Sequence, residues 1–373
     1  MKKELELYIH IPFCIRKCAY CDFFSTPRKE TIEGYIDSIL TEYELRCSEI
    51  SSKFTTIYIG GGTPSLLPEK LLIKLVNGLR KYVEFESLEE FTIEANPEDV
   101  TEEWCKLILS LGITRVSMGI QSFDDSQLKF IGRRHTASDA IRAIAVMQRA
   151  GITNISGDLI YGLPNQTLES WKDSLERLLS MGLSHFSAYL LSYEPATRLY
   201  VMREQGRVKE ASEEMAQQMY GVLIDMARRY NYEHYEISNF SKPGCKAVHN
   251  SNYWRDKPYL GLGVSAHSFD GMNRRYNPNN IKAYIKTIES GEKYCEEEIE
   301  TEDERHNDYI IVSLRTIDGI SLSYYKSHWG ELRYNQLIET AQHYINNGQM
   351  IIKNNQLSIA EEHMLISDRI MVD

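Results

Sequence analysis

Short runs of β-branched and aromatic residues recur along the first half of the chain, with amphipathic segments between them, and no other feature constrains the fold as tightly. The runs are "LYIHIPF" (7–13), "TTIYIGGG" (55–62), "EFTIEANP" (90–97), "TRVSMGIQS" (114–122), "NISGDLIYGLP" (154–164) and "HFSAYLLSYEP" (185–195). Each predicts a strand. Between them, "PEKLLIKLVNGLRKYV" (68–83) and "TASDAIRAIAVMQRAG" (136–151) place apolar residues at helical spacing and end near Gly or polar residues. Strand–helix alternation specifies a parallel βα architecture. Six units instead of eight predict an α/β fold of the partial (β/α)6, TIM-like kind, a barrel left open.

A helical pattern, "VKEASEEMAQQMYGVLIDMARRY" (208–230), follows the sixth unit and leads to a further strand and loop at 232–244. The acidic stretch "EEEIETEDE" (296–304) reads as a solvated junction. Beyond it, a small helical region carries a β-wing at 348–360 with "NN" as its turn. The expected division is a core at 1–230, a connecting segment at 231–300 and a small α+β accessory domain at 301–373.

The chemically unusual residues fall just after the apolar part of each strand: the cysteines, "GGGTP", Glu94, Gln121 and Asp158. In a parallel barrel those positions converge on one face, so spacing alone proposes a shared site. Taken singly they are ambiguous. A Gly-rich run is also the ordinary way to turn from strand to helix, though its N–H groups suit a carboxylate. Glu94 is also a plain strand-end carboxylate, and Gln121 and Asp158 fit capping as well as a site.

Cys14, Cys18 and Cys21 are spaced C-x3-C-x2-C on a loop directly after the first strand. No packing role needs three thiols so close together, and the pattern is metal-binding. Structural zinc wants four protein ligands, and His10, four residues before Cys14, is the one on offer. The other reading is an iron–sulfur cluster of four irons, three held by cysteines and one left without a protein ligand.

The remaining composition narrows the class. A net charge of −11 gives a nucleic-acid partner no overall attraction. The N-terminus is too short for a signal h-region, and no apolar run approaches the roughly 18 residues of a membrane span, which leaves only peripheral membrane contact open. Seven cysteines, an odd count with three clustered, fit reduced thiols in the cytoplasm better than a disulfide framework. Cys47, Cys105 and Cys295 read as ordinary free thiols.

The cysteine motif, with Tyr20 as the aromatic before the third cysteine, resembles the signature of the radical S-adenosylmethionine (radical SAM) superfamily. The resemblance implies a 4Fe–4S cluster on Cys14, Cys18 and Cys21, whose open iron chelates the amino and carboxylate groups of S-adenosylmethionine. One electron then cleaves a C–S bond to give methionine and a 5′-deoxyadenosyl radical. "YIHIPFC", "YIGGGTPSLL", "IEANPE", "RVSMGIQSF", "LKFIGRRH" and "DLIYGLPNQT" are similar to the oxygen-independent coproporphyrinogen III oxidase group. On that likeness the cofactor contacts fall on Tyr8, Tyr20, Gly61, Gly62, Thr63, Glu94, Gln121, Arg133 and Asp158.

Two departures separate the chain from the oxidases. They carry a further cysteine where this sequence has Phe23, and an extension ahead of the motif that this sequence lacks. "HNSNYW" (249–254) instead matches the H-N-x-x-Y-W element of the HemW haem chaperone branch. That resemblance implies haem bound near His249, an imidazole being a usual axial ligand, with Tyr253 and Trp254 offering apolar faces, although a histidine among aromatics is also a common packing arrangement. His267 and Cys245 are further candidates, read first as packing and bystander residues. The expected function is haem delivery to apo-haemoproteins such as respiratory-chain enzymes, with cofactor cleavage as an accompaniment; the alternative is oxidative decarboxylation of coproporphyrinogen III.

Overall fold

The structure is a computed structural model that describes residues 3–47 and 52–372, with the side chains of Lys3, Cys47 and Ser52 outside the description. The reading of Cys47 as a free thiol lies outside it too.

Each of the six anticipated strands forms. They are β1 (Lys3–Ile11), β2 (Ser52–Gly61), β3 (Glu90–Ala95), β4 (Arg115–Gln121), β5 (Ile155–Tyr161) and β6 (His185–Leu190). Between them run α1 (Ile32–Cys47), α2 (Glu69–Leu79), α3 (Glu102–Ser110), α4 (Asp125–Ile131), α5 (Ala137–Arg149) and α6 (Leu168–Ser180). Local chemistry fixes the helix starts: Thr136 and Thr167 close capping boxes on α5 and α6, and Asp124 accepts from two N–H groups of α4.

The strands pair in order, all parallel. Alternation along β1 shows how the barrel is built. Leu5, Leu7, Ile9 and Ile11 are buried in the main apolar core, whereas Glu6, Tyr8 and His10 face the other side. Each of those aliphatic side chains contributes about 1.5–3 kcal/mol through burial. The inner face is polar in the same register across neighbouring strands, pairing Glu6 with Thr56 and Tyr8 with Tyr58.

β1 and β6 do not meet, so the barrel is open. After α7 (Arg198–Glu204) and α8 (Glu213–Arg229), β7 (Glu233–Glu236) and β8 (Asn239–Ser241) extend the β6 edge antiparallel. A short helix, α9 (Val248–Tyr253), precedes β9 (Tyr259–Leu262), which extends the β1 edge in parallel, and β10 (His267–Phe269) and β11 (Arg274–Tyr276) continue outward. Residues 233–298 therefore widen the barrel sheet on both sides to twelve strands.

Beyond α10 (Ile281–Glu289), the acidic stretch is largely exposed, as its charge suggested, and it is also structured. Glu296–Glu298 form β12, an exposed edge strand on β11, and Thr301 caps α11 (Glu302–Leu314). A charged edge strand resists pairing with other chains, which is a physical use for that composition. The C-terminal region then adds β13 (Ile320–Ser321), α12 (Leu322–Asn346), β14 (Met350–Lys353) and β15 (Gln356–Ile359). The turn between β14 and β15 is Asn354–Asn355, both at positive φ (50° and 63°), as the "NN" signal required. Among the described residues, no helix is long and apolar enough to cross a membrane.

Candidate functional site

The cysteine loop is held at its base and at its middle. Cys14 N–H donates to Thr26 O (3.0 Å) and Thr26 N–H to Pro12 O (2.7 Å), while Ala19 is bonded through its backbone to Ile131 and Leu199. Cys14, Cys18 and Cys21 are free and half-buried, and all three line a cavity of about 490 Å³ at the C-terminal ends of the strands. Burial pushes the Cys14 thiol up and the Cys21 thiol up to about 11, so both favour the neutral form until a metal replaces the proton.

Tyr20, Gly61, Gly62, Thr63, Glu94, Gln121, Arg133 and Asp158 line the same cavity. The strand ends thus bring together eight of the nine cofactor residues carried over by resemblance. Tyr8 is set beside it: its hydroxyl lies 3.0 Å from His10 Nδ1 and its ring 6.1 Å from that of Tyr58.

The glycines differ from the expectation. Gly61, at φ +111°, donates its N–H to Glu94 Oε2 (2.9 Å), and Gly62 donates to Ile11 O (2.8 Å). Those N–H groups are already used. A Cβ on Gly61 would sit 2.6 Å from the His10 ring, and one on Gly62 would strike the backbone of residues 11–13, so both glycines let β2 press against the cysteine loop.

Glu94 also accepts from Tyr58 Oη (2.8 Å), and burial raises its carboxyl to about 7. Asp158, likewise raised by burial, accepts from Ser187 (2.8 Å), Ser117 (3.2 Å) and Ser156 (3.3 Å). Gln121 ends β4 at φ +69°, a conformation that costs a non-glycine residue about 1 kcal/mol or more and marks strain next to a cavity. Arg133 donates to Gly119 O and Asn96 Oδ1 (both 2.6 Å) and points Nη1 at Cys18 Sγ (3.8 Å). Its buried Nε has no partner.

These observations decide between the metal readings. His10 is buried with one ring nitrogen beside Tyr8 Oη and the other 3.3 Å from Phe24 O, and burial lowers its pKa to about 4. It is engaged away from the thiols. Three thiols, no fourth protein donor, an unpartnered guanidinium nitrogen and an adjoining polar cavity fit a cluster with an open corner and a zwitterionic ligand at that corner.

The Radical SAM superfamily model matches residues 8–178. The chain is 35% identical to the haem chaperone HemW of Lactococcus lactis over 86% of this chain and 84% of that one, and 35% identical to HemW of Bacillus subtilis over 87% and 86%. It belongs to the HemW haem chaperone family. Membership implies a 4Fe–4S cluster and S-adenosylmethionine. The fold matches that of coproporphyrinogen III oxidase (HemN) from Escherichia coli with a TM-score of 0.85, covering all of this chain and 90% of that one, at 21% identity.

The HemW-type element lies elsewhere. His249 is 0% exposed, with Nδ1 2.7 Å from Thr56 Oγ1, Nε2 2.8 Å from Tyr253 Oη and its ring stacked on Tyr58 at 5.1 Å. Burial drops its pKa to about 3, so the ring is neutral. In this packing both ring nitrogens are engaged by protein hydroxyls. Asn252 bonds the buried Glu6, and Val248 and His249 N–H donate to Glu90. The motif clamps α9 onto β1, β2 and β3. His267 is exposed beside Tyr276, and Cys245 is half-buried; neither lines the cysteine cavity.

Among the cavity residues that escaped the sequence reading are Asn96, Ser117 and Tyr189. Asn96 joins Arg133 to Thr63. The signal for Ser117 and Tyr189 was inward alternation: Ser117 is two residues before Gly119, which pairs with Asp158, and Tyr189 two after Ser187, its other pair neighbour.

Proposed function

We propose that the chain is a cytoplasmic haem chaperone that holds a 4Fe–4S cluster and S-adenosylmethionine and passes haem to apo-haemoproteins such as respiratory enzymes. One observation carries the reading: the identity with haem chaperones extends over most of both chains, beyond the cofactor-binding strands. The position after the third cysteine supports it. Phe23 is 62% exposed at the rim of the cavity, where the oxidases bear a further thiol.

In this reading residues 1–230 hold the cofactors, 231–300 connect and carry the haem-related element, and 301–373 form the accessory part. Cys14, Cys18 and Cys21 hold three irons, and Arg133 braces the Cys18 sulfur. Glu94 takes the ligand's ammonium by exchanging it for one of its present donors, and Asp158 and Gln121 face the ribose. Tyr20 and Thr63 wall the cavity beside the thiols. When bound, the cluster supplies the electron that breaks a C–S bond of S-adenosylmethionine. An axial role for His249 requires its ring to leave both Thr56 and Tyr253.

The test uses protein with a reconstituted cluster. Incubated with haem, it should retain haem and yield it to a haem-free acceptor protein. Given coproporphyrinogen III, a reductant and S-adenosylmethionine, it should form no protoporphyrinogen. Efficient decarboxylation would sink the reading.

A further inference from the structure

Arg115, on β4, is a buried guanidinium that neither lines the cysteine cavity nor takes part in the α9 clamp. It is 1% exposed, and its Nε and Nη1 have no hydrogen-bond partner. Glu90 Oε2 stands 4.0 Å from Nε, beyond hydrogen-bond reach, and Glu90 instead accepts from the Val248 and His249 N–H groups and from the Thr92 hydroxyl. A guanidinium whose task is to pair a carboxylate forms N–H···O bonds of about 2.7–2.9 Å. Burying a cation without such a bond is costly, so its charge has another use.

Strand register shows where that charge is felt. Arg115 and Ser117 share one face of β4, Ser156 and Asp158 one face of β5, and His185 and Ser187 one face of β6; Ser117 pairs with Ser156, and Asp158 with Ser187. Arg115 Nη2 lies 3.4 Å from His185 Nδ1, that nitrogen lies 2.7 Å from Ser156 Oγ, and Ser156 Oγ lies 3.3 Å from Asp158 Oδ1. His185 is fully buried with Nε2 2.8 Å from Tyr235 Oη, and burial, helped by the guanidinium, keeps its ring neutral. Glu94 on β3, Tyr58 on β2 and Tyr189 on β6 also face Asp158, and all three are acids. Arg133, a second cation of this region, is committed to Gly119 O, Asn96 and the Cys18 sulfur. Burial raises the Asp158 carboxyl, and Arg115 opposes that rise.

An ionised carboxylate has about four acceptor places and no donor. Ser156 and Ser187 take the two on Oδ1 and Ser117 one on Oδ2, which leaves one for a ligand hydroxyl. A proton on Asp158 would occupy it. We propose that Arg115 is a positioning residue for Asp158: its buried charge, set behind His185 and Ser156, keeps the carboxylate anionic and open to one hydroxyl of S-adenosylmethionine. The inference rests on the assignment of Asp158 to the cofactor site and deepens it.

The experiment measures S-adenosylmethionine affinity by calorimetry on cluster-loaded protein from pH 6 to pH 9. Each variant is divided by the parent at the same pH, which cancels titration of the ligand itself, and cluster absorbance is checked at each pH. Arg115→Met should bind near parentally at pH 9 and about tenfold more weakly at pH 6, because without the cation Asp158 takes up a proton at higher pH. Arg115→Lys should restore the parental profile. In an Asp158→Asn background, Arg115→Met should have no further effect. A loss equal at every pH, unrestored by Lys, or persisting in the Asp158→Asn background would overturn the proposal, the last by moving the effect to Glu94. Ser156→Ala removes the hydroxyl between His185 and Asp158 and should give the same profile with a smaller, severalfold loss at pH 6. Where Arg115→Met does not fold, this variant decides, and a flat ratio overturns the proposal. If Asp158→Asn binds S-adenosylmethionine as the parent does, the assignment of Asp158 falls, and the proposal with it.

Discussion

The two ends of the barrel interior are built from the same strands yet do opposite things with polar residues. At the C-terminal ends, free thiols, a strained Gln121 and a carboxyl raised to about 7 surround an open cavity, with the buried, unpartnered Nε of Arg133 beside them. At the N-terminal ends, Glu6, Thr56 and Glu90 are sealed under α9, and His249 spends both ring nitrogens on protein partners. The difference teaches that polarity inside a barrel is not a sign of function by itself. Accessible groups that lack partners are.

Four measurements bear on that contrast. The largest effect belongs to Cys18→Ser, which should abolish the cluster: the parent should hold about four irons per chain with a brown chromophore, and the variant essentially none. An iron-loaded variant, or a parent with one zinc and no iron, would end the functional half of the comparison.

His249→Ala should cost about 2–4 kcal/mol in denaturant unfolding, through a lost stacked ring and two orphaned hydroxyls, with iron content unchanged. A variant of parental stability that loses haem binding would instead make this end functional.

The third test is pH. Burial lifts Glu6 to about 8, so the folded state holds a proton that the unfolded chain releases above about 4.5. Its contribution to stability is present below that pH and is lost as pH climbs towards 8, by at most about 1.4 kcal/mol per pH unit. The stability difference between Glu6→Gln and the parent should therefore grow in favour of the variant from pH 5 to pH 8. A difference independent of pH would show that Glu6 is ionised and paired.

The smallest effect is at Gln121, whose φ of +69° glycine adopts freely. Gln121→Gly should stabilise the protein by about 0.5–1 kcal/mol and weaken S-adenosylmethionine binding. Stabilisation without any loss of affinity would remove Gln121 from the cofactor site.

Much of this was legible because some signals are local. Strand alternation, the thiol spacing and the "NN" turn each depend on a few consecutive residues, and each appears in the structure where it was expected. The acidic stretch is solvated as its charge said, but charge is silent about pairing: an exposed edge strand and an exposed connection have the same composition. Gly61 and Gly62 misled because their constraint is the His10 ring and the backbone at 11–13, some fifty residues away. Asn96 was invisible for a similar reason, since nothing near it in the chain says that it faces Arg133.

The sequence by itself determined the repeating βα frame and the three-thiol loop, which follow from periodicity and spacing along the chain, and the resemblance of its motifs pointed to the family. Only the tertiary structure decided that His249 is a clamp and that "GGG" is a close approach. Burial and hydrogen-bond partnership decide whether a polar side chain is available for chemistry. Both are set by residues from distant parts of the chain, and no local pattern encodes them.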